Sequence, residues 1–399
     1  MAFIRTILHI DLDAFFCSVE ELFSPALKGS AFAVGGSPEG RGVVASCSYA
    51  ARAYGIRSAM PMTQAVRLCP HLISVSHRFK AYGQYSRKIF ADLEAITPNI
   101  EPVSIDECYL DVTDMAEDVE VLTENIRNNI NQGYDLPCSI GVGSSKLVAK
   151  IANDVGKENY RGDRPPNSIF VVPPGGEAEF LAPLPVRSLI GVGSKTAAKL
   201  QAFGFNTIGD VARRPLSELE QMLGNLGRWI HFASNGIDNR SVHTDHSFKS
   251  ISKEQTFGRD LDRQDPLLRA LLNLSEDVGR QLRKKRVFCG TVSIKFRTSD
   301  FTTCSRQASL SEPTNLDRTI FDSARLLFFK LWKPGRKVRL LGVGASNLIR
   351  DGIQIGLFNQ GAQRIQETLD EIRGKFGKRS VRWALGESVE GGEIGEVNE

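Results

Sequence analysis

The sequence predicts a multidomain α+β protein, on three grounds. Its 399 residues, 41% hydrophobic and 24% charged, suffice for about two to four domains, each with its own core. The N-terminal part alternates short apolar runs with helical stripes, so strands and helices are interleaved rather than segregated. The C-terminal part orders its elements β-α-β-β-α-β, the split βαβ or ferredoxin-like arrangement.

Residues 3–11 are an apolar run ending in acid, as a buried strand would, which sets Asp11 near a strand end. A helix follows through residues 18–22. Gly, Pro and Ser between residues 24 and 42 mark a turn-rich subdomain reaching to about residue 70. Ile89, Leu93 and Ile96 draw a helical stripe over 85–96. Residues 105–112 read as strand, and Val119, Leu122, Ile126 and Ile130 place a helix over 115–132. Residues 137–143 are a strand running into Ser144, the expected N-cap of a helix over 146–155. Residues 153–174 loosen into loop and strand. After Pro183, short helices with Gly hinges continue to about residue 236, and the polar residues 235–245 place a linker.

Beyond it come strand 249–257, helix 266–286, strands 287–297 and 302–310, helix 316–331 and strand 338–348. Asp265 and Pro266 are the expected N-cap and first-turn proline of the first of these helices. A last helix, near 362–376, repeats apolar positions at Ile365, Leu369, Ile372 and Phe376.

The formal charge is +4, but residues 386–399 carry five glutamates and no basic residue, leaving +9 on the rest. That balance suits a body that meets a polyanion and an acidic, solvated tail. A mildly basic enzyme without a nucleic-acid partner is the plainer alternative on charge alone. Seven cysteines form no C-x-x-C pair, which points to reduced thiols in a cytosol. His243 and His246 lack a second ligand pair nearby, so no zinc site is expected. Residues 1–10 lack the features of a signal peptide, and no apolar run reaches membrane-spanning length. The expectation is a cytoplasmic chain with no membrane partner.

Asp106 and Glu107 stand side by side in an otherwise apolar strand pattern. Strand neighbours point to opposite faces, so both acids serve one site only where the chain turns or bulges. A hairpin tip beside the end of the first strand meets that condition. Clustered acids need partners, and oxygen-only ligands favour Mg2+ or Mn2+ over zinc. Two such ions would make phosphoryl transfer the reaction class. An exposed turn is the alternative for this dipeptide. Asp11 and Asp13, two apart on a strand, face the same way and leave open which is the ligand; Asp-x-Asp also occurs in sugar-nucleotide transferases.

Four segments in order, DLDAFFCSVE at 11–20, ASCSYAARAYG at 45–55, SIDECYLD at 104–111 and SIGVG at 139–143, resemble the Y-family DNA polymerases, in the bacterial DNA polymerase IV (DinB) branch. The resemblance extends to about residue 385. It implies a right-hand polymerase: palm over 1–24 and 71–174, fingers over 25–70, and a helix-hairpin-helix thumb over 175–236. A linker over 237–248, a ferredoxin-like little finger over 249–349, a clamp-binding segment and helix over 350–385, and a disordered acidic tail over 386–399 would follow. By the family pattern Asp11 and Asp106 look like ligands shared by two metal ions, Glu107 a further catalytic ligand and the Leu12 carbonyl a main-chain ligand, with Asp13 structural. Phe16 matches the steric gate, whose ring occupies the place of a ribose 2′-hydroxyl; overpacking of about 1–3 kcal/mol gives about ten- to hundred-fold discrimination. Phe15 reads as core. Ser46, Tyr49, Arg52 and Lys157 match the triphosphate contacts. The sequence departs from the family with Ser46 in place of threonine and Lys157-Glu158-Asn159 in place of Lys-Pro-Asn.

Residues 190–200 look like a helix-hairpin-helix in which Gly191, Gly193 and Lys195 present backbone N–H groups and a helix N-terminus to phosphate, without reading bases. Close packing of helices is the other use of such glycines. Lys295 and Arg297 share a strand face and are expected on DNA phosphates, with a steep salt dependence. KSISKEQTF at 249–257 resembles the entry to the family's little finger, and QIGLF at 354–358 resembles the motif that engages the bacterial sliding clamp, with Gln354, Leu357 and Phe358 as anchors.

The implied function is error-prone, template-directed DNA synthesis across damaged template by a monomer, without proofreading, on primer-template DNA and deoxynucleoside triphosphates. A catalytically silent DNA- or clamp-bound scaffold and a sugar-nucleotide transferase are the rivals. The intact acidic set opposes the first, and the hairpin-helix and clamp-like segments have no place in the second.

Overall fold

Ile7, Leu8, His9 and Ile10 are all buried, so the first strand is covered on both faces and lies at the centre of its sheet. The computed structural model describes residues 5–160, 162, 164–244, 248–350, 360–377 and 380–381. The chain divides into two units, residues 1–246 and 247–399.

In the first unit, β1 (Ile7–Leu12) is flanked by β6 (Glu107–Asp111) and β7 (Cys138–Gly143), with β5 (Ile100–Pro102) and β8 (Ile169–Val171) outside, in the order β5-β6-β1-β7-β8. β1 is antiparallel to both neighbours. Leu8, Ile10 and Leu12 face α1 (Phe15–Phe23), α4 (Phe79–Ile96) and α5 (Val119–Tyr134), in a core with Phe15, Tyr82, Ile89, Leu93, Leu122 and Ile126. The opposite face is covered by α6 (Lys146–Asn159). Gly141 makes this fit: a Cβ there would lie 2.1 Å from the Ala149 carbonyl oxygen and 2.3 Å from the Asn153 nitrogen. The cap of α6 is Ser145, whose side chain accepts from the Val148 N–H at 3.3 Å, not Ser144. The helix also runs one turn beyond the expected end, carrying Lys157 in its last turn.

A smaller sheet, β3-β2-β4, is built from β2 (Phe32–Gly35), β3 (Val44–Cys47) and β4 (Ile73–Val75). With α2 (Tyr49–Ala53) and α3 (Met62–Leu68) it encloses its own core of Ala33, Val44, Cys47, Ile56, Met62 and Cys69. Five short helices follow: α7 (Glu177–Leu181), α8 (Ser194–Ala202), α9 (Ile208–Ala212), α10 (Leu216–Leu223) and α11 (Asn225–Ser234). They pack around Leu181, Val192, Leu200, Ile208, Leu219 and Ile230, and α9 opens with a Thr207–Asp210 capping box.

Within the expected linker, residues 238–243 are docked on the first unit. Asp238 is buried and accepts from the Leu147 N–H at 3.2 Å and from Arg240, while the His243 N–H donates to Glu101 at 2.9 Å. Polar composition suggested solvation, but each of these groups has a partner on the first sheet or on α6.

In the second unit, β9 (Ser250–Leu261), β10 (Phe288–Thr298), β11 (Thr303–Thr314) and β12 (Val338–Ile349) form the antiparallel sheet β11-β10-β12-β9. The β-α-β-β-α-β order holds with α12 (Gln264–Lys284) and α13 (Asp317–Leu331). Both βαβ units are split, with β10 and β12 central. The expected cap of α12 is displaced: Arg263 precedes the helix without a side-chain cap, and Asp265 and Pro266 lie in its first turn. α14 (Gln360–Phe376) is held by buried ion pairs: Arg373 reaches Glu276 at 2.9 Å and Asp317 at 3.3 Å, and Arg283 reaches Asp370 at 2.6 Å. Among the described residues no helix is long and apolar enough to cross a membrane. Residues 354–358 and 386–399 lie outside the described residues.

Candidate active site

The acids meet where β1 and β6 end. Asp11 and Glu107 are Cα partners across the ladder, and the Leu12 N–H donates to the Asp106 carbonyl at 2.9 Å. The hairpin tip between β5 and β6 closes through Val103 and Ser104 N–H groups, both bonded to the Glu107 carbonyl. Glu107 keeps the strand alternation, on the face of His9 and Asp11, while Asp106 lies in the turn just before β6. Asp106 accepts from the Ser104 hydroxyl. Burial pushes its carboxyl above the usual range, Ser104 works against that, and the charges of Asp11 and Glu107 add to the rise.

Asp13 differs from Asp11 in kind. It is fully buried, and accepts from the Ser139 hydroxyl at 2.7 Å and the Asn167 N–H at 2.9 Å, so it pins β1 to the loop before β8. Asp11 remains partly open, and Lys157 Nζ lies 2.6 Å from Asp11 and 3.0 Å from Asp13. Glu107 is held by His9 Nε2 at 3.4 Å and Lys150 Nζ at 3.5 Å. Its carboxyl falls to about 2, chiefly through the His9 hydrogen bond, against burial, with Lys150 assisting. Asn153 Nδ2 lies 2.9 Å from His9 Nδ1 and also bonds the His9 and Ser139 carbonyls. Asn153 thus fixes the His9 ring, whose Nε2 faces Glu107.

Lys150, Asn153 and Lys157 form an i, i+3, i+7 stripe on α6, laid along the acids and His9. Sequence reasoning found only Lys157. The stripe itself was the available signal, although by spacing alone it reads as a solvated face.

The small sheet supplies the other groups. Ser46 is buried on β3. Tyr49 opens α2, with the Arg52 guanidinium 4.2 Å above its ring. The Tyr49 phenol is pushed up to about 12 by burial and by the charge of Asp13, while Arg52 and Lys157 pull the other way. Phe16 lies half-buried on α1, its ring stacked on Tyr82 with centroids 4.4 Å apart.

The carboxylate oxygens of Asp11, Asp106 and Glu107 fit a hard divalent cation in kind. Among the described residues no three His, Cys, Asp or Glu side chains stand ready as a metal-binding group. Lys157 pairs with Asp11, Ser104 donates to Asp106, and His9 and Lys150 face Glu107.

The remaining candidates lie elsewhere. Gly191 has φ +87° and Gly193 precedes α8, whose first turn carries the exposed Lys195; Trp229 Nε1 donates to the Ile190 carbonyl at 3.2 Å. In the second unit, Lys295 pairs with Glu254 at 2.9 Å on the face not covered by helices, and Arg297 Nε donates to Thr303 at 2.8 Å. Gln354, Leu357 and Phe358 lie outside the described residues.

Acids at the end of two central strands, beside a lysine-bearing helix and a cationic subdomain, define a protein class built to handle a phosphate-bearing substrate at an acidic centre. The sequence matches the impB/mucB/samB family over residues 10–154, its helix-hairpin-helix motif over 174–205 and its C-terminal domain over 248–357. It is 40% identical over 385 residues to the DNA polymerase IV of Dehalococcoides mccartyi strain CBDB1, covering 95% of this chain and 97% of that protein. The DNA polymerase IV of Halorhodospira halophila is 40% identical over 347 residues, 86% of this chain and 95% of that one. A Y-family DNA polymerase chimera matches in structure with a TM-score of 0.75 at 25% identity, over 87% of this chain and all of that one. The DinB structure from Sulfolobus solfataricus matches with a TM-score of 0.59 at 25% identity and the same coverage. The chain belongs to the impB/mucB/samB family, the Y-family DNA polymerases.

Proposed function

We propose that this chain is a DNA-directed DNA polymerase that copies damaged template, extending a primer 3′-hydroxyl with deoxynucleoside triphosphates by two-metal-ion nucleotidyl transfer, without proofreading. The observation that carries the reading is the meeting of Asp11, Asp106 and Glu107 at the β1–β6 ladder end, with Lys157, Tyr49 and Arg52 beside them.

Asp11, Asp106 and Glu107, with the Leu12 carbonyl, would hold two Mg2+ ions, for which Mn2+ could substitute. Held there, such ions would supply charge that eases deprotonation of the 3′-hydroxyl and departure of the pyrophosphate. Asp13 stays structural, because its oxygens already serve Ser139, Asn167 and Lys157. Lys157 leaves Asp11 for the triphosphate, which Ser46, Tyr49 and Arg52 also contact. Phe16 excludes a 2′-hydroxyl. His9, fixed by Asn153, orients Glu107.

Primer-template DNA is held through phosphates, by the Gly191–Gly193 hairpin with Lys195, and by Lys295 and Arg297 on the sheet of the second unit. Palm, fingers, thumb and little finger are the roles of the first sheet, the small sheet, the short helices and the second unit. Gln354, Leu357 and Phe358 engage a bacterial sliding clamp, and the enzyme acts as a cytoplasmic monomer. Extension of a primed template past a defined lesion tests the reading: the chain continues across the lesion with Mg2+, whereas a complete stop there, with undamaged template copied, would remove lesion bypass.

A further inference from the structure

Glu20 lies one helical turn after Phe16 on α1 and is 0% exposed. A buried carboxylate needs partners, and those of Glu20 come from the start of α4. Tyr82 Oη donates to Oε1 at 2.6 Å, and Arg78 Nε lies 3.0 Å from Oε2. Tyr82 is also fully buried, and burial and the bond to Glu20 both push its phenol up, so it remains a donor. Its ring stacks on Phe16 at 4.4 Å with planes 13° apart. Phe79 meets Phe16 edge-on at 6.0 Å and 88°, and Phe15 lies tilted at 5.9 Å.

One tyrosine thus spans two positions on α1, with its ring on Phe16 and its hydroxyl on Glu20. Stacking alone fixes the distance between two rings but lets them slide. A hydrogen bond to a buried charge at the far end of the tyrosine removes that freedom. Arg78 holds the other carboxylate oxygen while its guanidinium lies 5.0 Å from the Phe23 ring, so Glu20 is itself anchored from α4 and α1 together. An apolar side chain at this position would fill the same core without the cost of burying a carboxylate.

We propose that Glu20 is a positioning residue for sugar selection: it fixes Tyr82, and Tyr82 fixes the Phe16 ring against a ribonucleotide. This rests on the reading of Phe16 as the gate. A gate discriminates only as far as its ring resists displacement, so loosening its support lowers discrimination even when the ring is intact.

Single-turnover incorporation of a deoxynucleotide and its ribonucleotide counterpart, compared as kcat/KM ratios, tests this. Phe16→Ala raises relative ribonucleotide use about ten- to hundred-fold. Tyr82→Phe, which keeps the ring, and Glu20→Leu, which removes the acceptor, raise it about three- to ten-fold. Glu20→Gln keeps an oxygen for the tyrosine hydroxyl and stays within about two-fold of the native ratio. Tyr82→Phe and Glu20→Leu at the native ratio, even with both rates reduced in parallel, would overturn the proposal while Phe16→Ala still shifts it. A Gln variant as permissive as the Leu variant counts against it equally. If Phe16→Ala leaves the ratio unchanged, the gate reading falls and this proposal with it.

Discussion

At the residue scale, the acids divide by their partners. Asp13 is spent on Ser139 of β7 and on the loop before β8, whereas Asp11 pairs with the Lys157 ammonium. Spacing in the sequence left these two equivalent, because residues two apart on a strand share a face; the hydrogen bonds of Ser139 and Asn167 separate them, and both come from distant parts of the chain. The same limit hid His9, Lys150 and Asn153, whose significance depends on α6 crossing β1. Lys157 gives the sharpest prediction at this scale. With its ammonium on Asp11, it competes with a divalent cation until a triphosphate draws it away. Lys157→Ala is expected to bind Mn2+ roughly ten-fold more tightly without nucleotide, the size of a charge-assisted hydrogen bond, and to raise the KM for nucleotide. Calorimetric Mn2+ titration of the free protein checks the first part, and unchanged or weaker binding would contradict it.

At the element scale, the elements were largely legible, because hydrophobic period survives in both strands and helices. Caps were less so. Ser144 and Ser145 are both good capping residues, and only the backbone decided for Ser145; Asp265-Pro266 satisfies the rule for a helix start, yet α12 begins earlier. The strap at Asp238–His243 was read as linker because polar composition does not reveal partners. Gly141 carries more weight than its size suggests. Gly141→Ala sets a Cβ against backbone atoms of α6 and is expected to cost about 1–3 kcal/mol or more. It should also lower nucleotide incorporation by shifting Lys150 and Lys157. A denaturation midpoint and a rate measured together check this, and a variant native in both would contradict the packing account. On β9, Glu254 occupies the ammonium that would serve a DNA phosphate. Glu254→Gln is expected to tighten duplex binding roughly two- to five-fold at low salt and to steepen the salt dependence by about one phosphate contact. Binding isotherms at several salt concentrations read both.

For the whole molecule, the ordered motifs were legible in the sequence, and the family match covers most of the chain. The arrangement of the two units is a property that local patterns do not encode. The proposed clamp segment works at this scale, as it would add processivity without touching the chemistry. Deleting residues 354–358 is expected to abolish clamp-stimulated synthesis and leave basal synthesis intact. Loss of both in equal measure would assign the segment to the fold of the second unit.

Asp11 on β1, Asp106 in the hairpin tip and Glu107 on β6 are proposed to carry nucleotidyl transfer. Single-nucleotide incorporation on an undamaged primed template with Mg2+, by the native chain and by Asp106→Ala, tests it most directly. The native chain is expected to add the templated deoxynucleotide, and the variant to lose at least about a thousand-fold in rate while still binding DNA. No incorporation by the native chain, or undiminished incorporation by the variant, would contradict the account.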